Sequence, residues 1–268
     1  AGLAFGFLAA FAGLSGAAAA DGQRSVITSR DADYAGFDYQ TVKDVEQKAC
    51  ASACLADKSC HAFTYNVKAR WCFLKSDFGA LSVAPGAMAG RVITLKGFDK
   101  TLADKRTDEL SFLGPTPFDE ARRQVGSLAG EYPTDGLGYA AIRTEVDQAR
   151  KDGKVVTASR ALGALLGIAP EDPADWRDFA ALLLKVKPAD DSEKRDLPSE
   201  ASSAAINAYL RIEGARDQAV TLGLLAEALG RRDMWKEAIK TWRLALSYRD
   251  DPALRAALDK ALAQHGFR

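Results

Sequence analysis

Four cysteines, Cys50, Cys54, Cys60 and Cys72, are the residues of this 268-residue chain whose type and spacing could do chemistry. Two outcomes compete: a pair of disulfides, or a tetrahedral zinc site of four thiolates. The gaps between them are three, five and eleven residues, whereas structural zinc sites usually include a tight Cys-x2-Cys knuckle. The spacing therefore favours disulfides, the more so in an exported protein. Cys50 and Cys54 sit in residues 41–57, which read as a helix, so they share one face a turn apart. Cys60 and Cys72 accompany two short alternating runs, residues 61–66 and 70–74, which carry Phe63, Tyr65, Trp71 and Phe73 and read as hairpin strands. Four cysteines allow three connectivities, and spacing alone does not choose among them. A Cys50–Cys54 bond would link successive turns of one helix and staple nothing. We favour Cys50–Cys72, tying the helix start to the far strand, with Cys54–Cys60 closing the helix-to-strand loop. Each bond would contribute roughly 2–4 kcal/mol, a large share for a domain with a modest core.

Alternation along the second hairpin strand puts Cys72 and Leu74 on one face and Trp71 and Phe73 on the other. If Cys72 bonds toward the helix, both rings point away from it. The preferred reading is that the first strand or a loop covers them. The other is that Arg70, Trp71, Phe73 and Lys75 form a ligand-binding surface, and these four are the candidate binding residues.

Other chemistry is sparse. His61 and His265 are far apart in sequence and read as structural or surface residues. Asp31, Asp33 and Asp38 are hard oxygen donors suited to calcium, but their spacing matches no EF-hand, and with Gly36 and aromatic neighbours they read as a plain loop. No nucleophile elbow, P-loop, dinucleotide glycine fingerprint or metal-binding histidine pair occurs. The acid pairs Asp190/Asp191 and Asp250/Asp251 lie in polar turns and read as solvated charge. No catalytic residue, metal or cofactor is therefore expected. The 36 basic and 36 acidic side chains cancel without a basic stripe, which argues against nucleic acid or an anionic membrane surface as the main partner.

The flanking elements give these residues a setting. Residues 1–20, an apolar run ending in small residues at Ala18-x-Ala20, read as a secretory signal peptide cleaved after Ala20, with a buried helix as the rival. The run is too short for a confident membrane span, so none is expected after signal removal. No Met or basic segment precedes it, and the chain stops abruptly after a helix, so it is expected to be part of a longer gene product. Residues 24–29 and 90–95 read as first and last strands around the cysteine stretch, with residues 82–87 a loop. From about Gly97 the composition turns Ala- and Leu-rich with helical spacing. Residues 100–117 read as a polar linker. Helices are predicted over 118–129, 139–151, 157–166, 173–186, 199–212, 218–229, 235–248 and 252–265, with a polar insert at 189–196.

Two resemblances follow. The Cys-x3-Cys helix, the x5 gap to Cys60, the aromatic strand and WCFLKS, preceded by DADYAGFDYQTVKDVEQ, resemble the PAN/apple domain in its short bacterial form over residues 24–95. This implies a helix on a curled antiparallel sheet and supports the disulfide pairing above. Larger apple domains carry a third disulfide joining their ends, which is absent here, so looser termini are expected. Residues 219–252 resemble a tetratricopeptide repeat, with Leu222, Leu225, Ala226 and Leu229, then Ala238, Trp242 and Ala245, on its pattern; a weaker copy begins at Pro173. A generic helical bundle is the rival.

The expected architecture is an α+β apple-like domain over residues 21–99 with two disulfides, a linker over 100–117, and an all-α TPR-like domain over 118–268. The order of parts resembles the amino-terminal portion of bacterial alpha-2-macroglobulin-like proteins. That resemblance implies a non-catalytic, extracytoplasmic, periplasmic or secreted region of a protease trap (an endopeptidase inhibitor) whose working domains lie past Arg268. Its partners would be proteins, with proteases engaged through those downstream domains. The alternative is a self-contained apple/TPR binding protein that recognises a glycan or protein in the cell envelope.

Overall fold

The computed structural model describes residues 24–94 and 99–266; the leader read at residues 1–20 lies outside them. The first part is a five-stranded antiparallel sheet of β1 (Ser25–Tyr34), β2 (Asp38–Val42), β3 (Ala62–Asn66), β4 (Trp71–Lys75) and β5 (Leu81–Ile93), in spatial order β1-β5-β3-β4-β2. Helix α1 (Gln47–Ala56) lies across one face. Strand alternation sorts the two faces. Phe63, Tyr65, Cys72 and Leu74 point to α1 and form a small core with Cys50, Cys54 and Cys60. Ala62 and Ala89 point the other way and belong to the core of the helical part.

A bulge in β1 serves both faces. Val26 packs toward α1, whereas Ala32 and Tyr34, of the same parity, join the other core. The register slips between Arg30 and Ala32, and Asp31 between them sits at φ 51°. There Asp31 stands against residues 84–87 of β5, and past this irregularity the β1 side chains face the opposite side of the sheet.

Three sequence expectations are corrected here. The cysteine helix starts at Gln47, not at Thr41. Thr41 and Val42 instead pair with Phe73 and Cys72 as the end of β2, as suits β-branched residues on a pleated surface. Residues 82–87, read as a loop, lie inside β5; Pro85 and Gly86, the latter at φ 79°, fall in the gap where β1 pairing is broken, the position a sheet tolerates for Pro. The first strand runs on through residues 31–34, where the sequence suggested a loop.

The rest is helical: α2 (Lys100–Glu109), a 3-10 turn (Ser111–Leu113), α3 (Pro115–Glu131), α4 (Tyr139–Lys151), α5 (Val155–Ile168), α6 (Pro173–Leu183), α7 (Asp191–Tyr209), α8 (Ala215–Arg231), α9 (Trp235–Tyr248) and α10 (Pro252–His265). All eight helices predicted between residues 118 and 265 are present. The stretch read as a linker is α2, the 3-10 turn and the first turn of α3. Asp99 caps α2 by accepting from the Leu102 amide. Arg106 is buried, donating to the hydroxyls of Tyr209 and Tyr248, so a polar composition here marks a docked helix rather than an exposed tether. The polar insert at 189–196 likewise becomes the start of α7, capped by Asp190.

Helices α4/α5, α6/α7 and α8/α9 are hairpins that stack in order. Ion pairs run along one layer, Arg143–Asp175 and Arg150–Asp178 from α4 to α6, and Arg177–Asp217 from α6 to α8. Helix α3 lies on α5 and α7 of the other layer. The sheet docks on this array. Phe78, after β4, lies between Tyr34 and Tyr139 at ring distances of 5.6 and 5.2 Å. Its carbonyl accepts from the Tyr139 amide (2.7 Å) and Asp77 accepts from Ala140 (3.2 Å), so the loop after β4 places its acid at the start of α4, where negative charge is favoured.

Candidate functional site

Both disulfides form as expected, Cys50–Cys72 and Cys54–Cys60, and no cysteine is free. Cys72 lies 22 residues from Cys50, and Cys60 lies 6 residues from Cys54. Arg24 braces the shorter loop, donating to the carbonyls of Asp57 (3.0 Å) and Cys60 (2.6 Å). Tyr39 donates to the Asp57 carboxylate from the neighbouring edge strand; partial desolvation and that carboxylate push the phenol up to about 12, and the same bond holds Asp57 below the usual carboxylate range.

With Cys72 bonded to the helix, β4 turns Trp71, Phe73 and Lys75 to the outer face. Trp71 is 37% exposed, so neither the first strand nor a loop covers it. Its ring meets Phe73 edge-on at 6.4 Å, and the Lys43 ammonium stands 4.5 Å from the indole centroid, a cation–π arrangement. The sequence does not single out Lys43, because residues 41–57 read as one helix; it lies in the turn after β2, next to Asp44 at φ 56°. Arg70 sits in the β3–β4 turn at φ 58° and pairs with Glu46 at 2.7 Å, both exposed.

Lys75 lies elsewhere. Its side chain is only 2% exposed, and its ammonium donates to the Gly36 carbonyl (3.0 Å) and to Asp38 (2.6 Å), with Asp33 at 3.9 Å. It pins the β1–β2 loop under the sheet. Thus Arg70, Trp71, Phe73 and the unforeseen Lys43 share one end of the module, while Lys75 serves the structure. The three aspartates weighed for calcium are each engaged by the fold: Asp31 accepts from the Gly86 amide, Asp33 from Thr64 with the Lys75 ammonium nearby, and Asp38 holds Lys75. Among the described residues no group of three metal-ligating side chains forms. His61 donates through Nδ1 to the Ser76 carbonyl at 2.7 Å, a structural bond across the β3 and β4 ends. Among the described residues no helix is long and apolar enough to cross a membrane.

The surface that results is a small aromatic platform flanked by two cations, held rigid by a disulfide directly beneath it. Such a platform can stack on an apolar or sugar face while the cations meet anionic or carbonyl groups. No curated protein matches the chain. Residues 25–92 match the family model of the PAN domain, and this part of the chain, with its five strands, its helix and its two disulfides, is a PAN domain.

Proposed function

We propose that this chain is a non-catalytic, extracytoplasmic recognition region whose PAN domain binds a protein or glycan ligand through the platform of Trp71, Phe73, Lys43 and Arg70. One observation carries the reading: Trp71 is left 37% exposed on the sheet face whose Ala62 and Ala89 are buried in the core of the helical part. A large aromatic kept at the surface over a disulfide-braced strand is costly to leave in water and useful as an anchor. Two disulfides together with a PAN domain fit an exported protein, and a periplasmic or secreted site is part of this reading. A non-catalytic role is supported by how the buried charges are spent, on pairs such as Arg91–Glu171 and Arg143–Asp175.

The test is a glycan array and immobilised envelope proteins probed with the wild type and with Trp71→Ala. Binding that drops at least about tenfold in Trp71→Ala, at unchanged melting temperature, is the expected result. Binding unaffected by the change would overturn the platform. Turnover of an ester, peptide or glycoside substrate, abolished by one point mutation, would overturn the non-catalytic reading.

A second reading is favoured by the order of parts. The leader expected at residues 1–20, the two-disulfide PAN domain and the stacked helical hairpins come in an order that resembles the amino-terminal portion of alpha-2-macroglobulin-like proteins, and the α6/α7 and α8/α9 hairpins are the basis for reading a TPR-like array. On this reading the region is an accessory and spacing part of a protease trap. The gene sequence after Arg268 tests it: a long β-rich continuation is expected, and an immediate stop codon would exclude it.

A further inference from the structure

Helices α8 and α10 lie side by side over α9. They meet where Gly223 faces Leu254, so closely that a Cβ on Gly223 would come within 2.6 Å of the leucine side chain. Between them remains an open groove of about 600 Å3, with Trp235 and Trp242 of α9 among its lining residues. Its apolar walls include Val220, which is 44% exposed. The indole of Trp176, in the array's interior, donates to the Pro170 carbonyl at 2.8 Å; those of Trp235 and Trp242 have no acceptor among the described residues.

The charges around this groove are unbalanced. Its two acids are already engaged: Glu227 pairs with Arg231 at 2.5 Å, and Asp251 accepts from the amides of Ala253 and Leu254. Its three cations, Arg216, Arg249 and Lys260, are exposed and make no side-chain hydrogen bond or ion pair with another described residue. The opposite layer shows what such a space accepts. There α3 lies on α5 and α7, burying Ala121 and Leu128 and reaching Arg232 with its Glu120 at 2.9 Å. An amphipathic helix with an acid on its flank is thus already docked once on this array.

We propose that the α8–α10 groove docks an amphipathic helix of a protein partner, whose apolar stripe lies on Val220 and Trp235 above the buried Trp242 and whose flanking carboxylates pair with Arg216, Arg249 and Lys260. This site is separate from the PAN platform. Apolar anchors supply the burial, and the three uncommitted cations select the acidic partner and speed its approach.

The probe is a library of helical peptides with one randomised face, selected against the whole chain. The expected winners carry apolar residues at i, i+3 or i+4, and i+7 with Asp or Glu beside them. Their affinity should fall at least about tenfold in Val220→Glu and in Arg249→Glu, both at exposed positions, with helicity by circular dichroism unchanged. Reversing the acids of a winner to Lys should restore binding to the Arg216→Glu/Arg249→Glu chain. Trp71→Ala should leave affinity unchanged, which separates this site from the PAN reading. Winners without acidic bias, or winners insensitive to both Val220→Glu and Arg249→Glu, would overturn the proposal. So would a homodimer lost in Val220→Glu, or binding of dodecanoate but of no peptide.

Discussion

Arg91 of β5 and Glu171, just before α6, form a bidentate ion pair 80 residues apart in sequence, with nitrogen–oxygen distances of 2.9 and 2.5 Å. The guanidinium is almost fully buried and also lies 5.1 Å from the Phe78 ring centroid. This pair bolts the PAN sheet to the helical array within one shared core. Removing one partner strands a buried charge, which costs far more than the intact pair contributes.

Glu171→Ala is therefore expected to destabilise the chain by about 3 kcal/mol, read as a lower urea midpoint with the sheet and helices still unfolding together. A change below about 0.5 kcal/mol, the range of an ordinary surface substitution, would show that the sheet and helices are not held together by this contact.

The disulfides should be unequal. The Cys50–Cys72 bond closes a loop of 22 residues and Cys54–Cys60 one of 6. Loop-closure entropy assigns them about 3.4 and about 2.2 kcal/mol respectively. Thermal melts of the two double Cys→Ala variants should rank in that order. The reverse order would mean that the Arg24 brace on the shorter loop outweighs loop length.

Glu200 should make stability fall with rising pH. Burial raises its pKa above the ordinary carboxylate range, although the Tyr132 hydroxyl donating to it at 2.9 Å pulls the other way. From the unfolded value of about 4.3 up to the raised folded value, the folded chain holds more protons than the unfolded one. Stability is lost as pH climbs through that window. Glu200→Gln keeps an acceptor for Tyr132 and removes the titration, so the variant should gain on the wild type as pH rises from the unfolded value of about 4.3 through the raised folded one. Parallel melting curves across that range would refute the assignment.

Gly90 is expected to tolerate no side chain. A Cβ there would sit 2.2 Å from the Phe63 ring, which is fully buried between β5 and α1. Gly90→Ala should cost about 1–3 kcal/mol, as overpacking a tight core does. Gly90→Ala combined with Phe63→Leu should recover part of that loss. If the double variant is no better than the sum of the singles, the clash is not the cause.

Local chemistry carried much of this protein in its sequence. Helices α4, α9 and α10 have the predicted limits, because their start and stop signals, Gly138 before Tyr139, Asp251-Pro252 and Gly266, act over a few residues. The cysteine pairing was favoured rather than fixed by sequence, since spacing left more than one connectivity open and the PAN/apple resemblance supported the one that forms, while the Trp71/Cys72 alternation follows from the pleat. What tertiary structure decided was where each polar or β-branched residue goes once other elements arrive. Thr41 joined an edge strand because β4 lay beside it, which no local propensity announces. Residues 100–117 became a docked helix because Tyr209 and Tyr248, more than 100 residues away, receive Arg106. Lys75, a plausible surface cation by type, was buried because Gly36 and Asp38 close over it. Lys43 reached Trp71 only because Asp44 turns the chain at positive φ. Local patterns specify which elements form; the partners that satisfy a buried charge or leave a ring exposed are set by contacts distant in sequence, and those exist only in the folded chain.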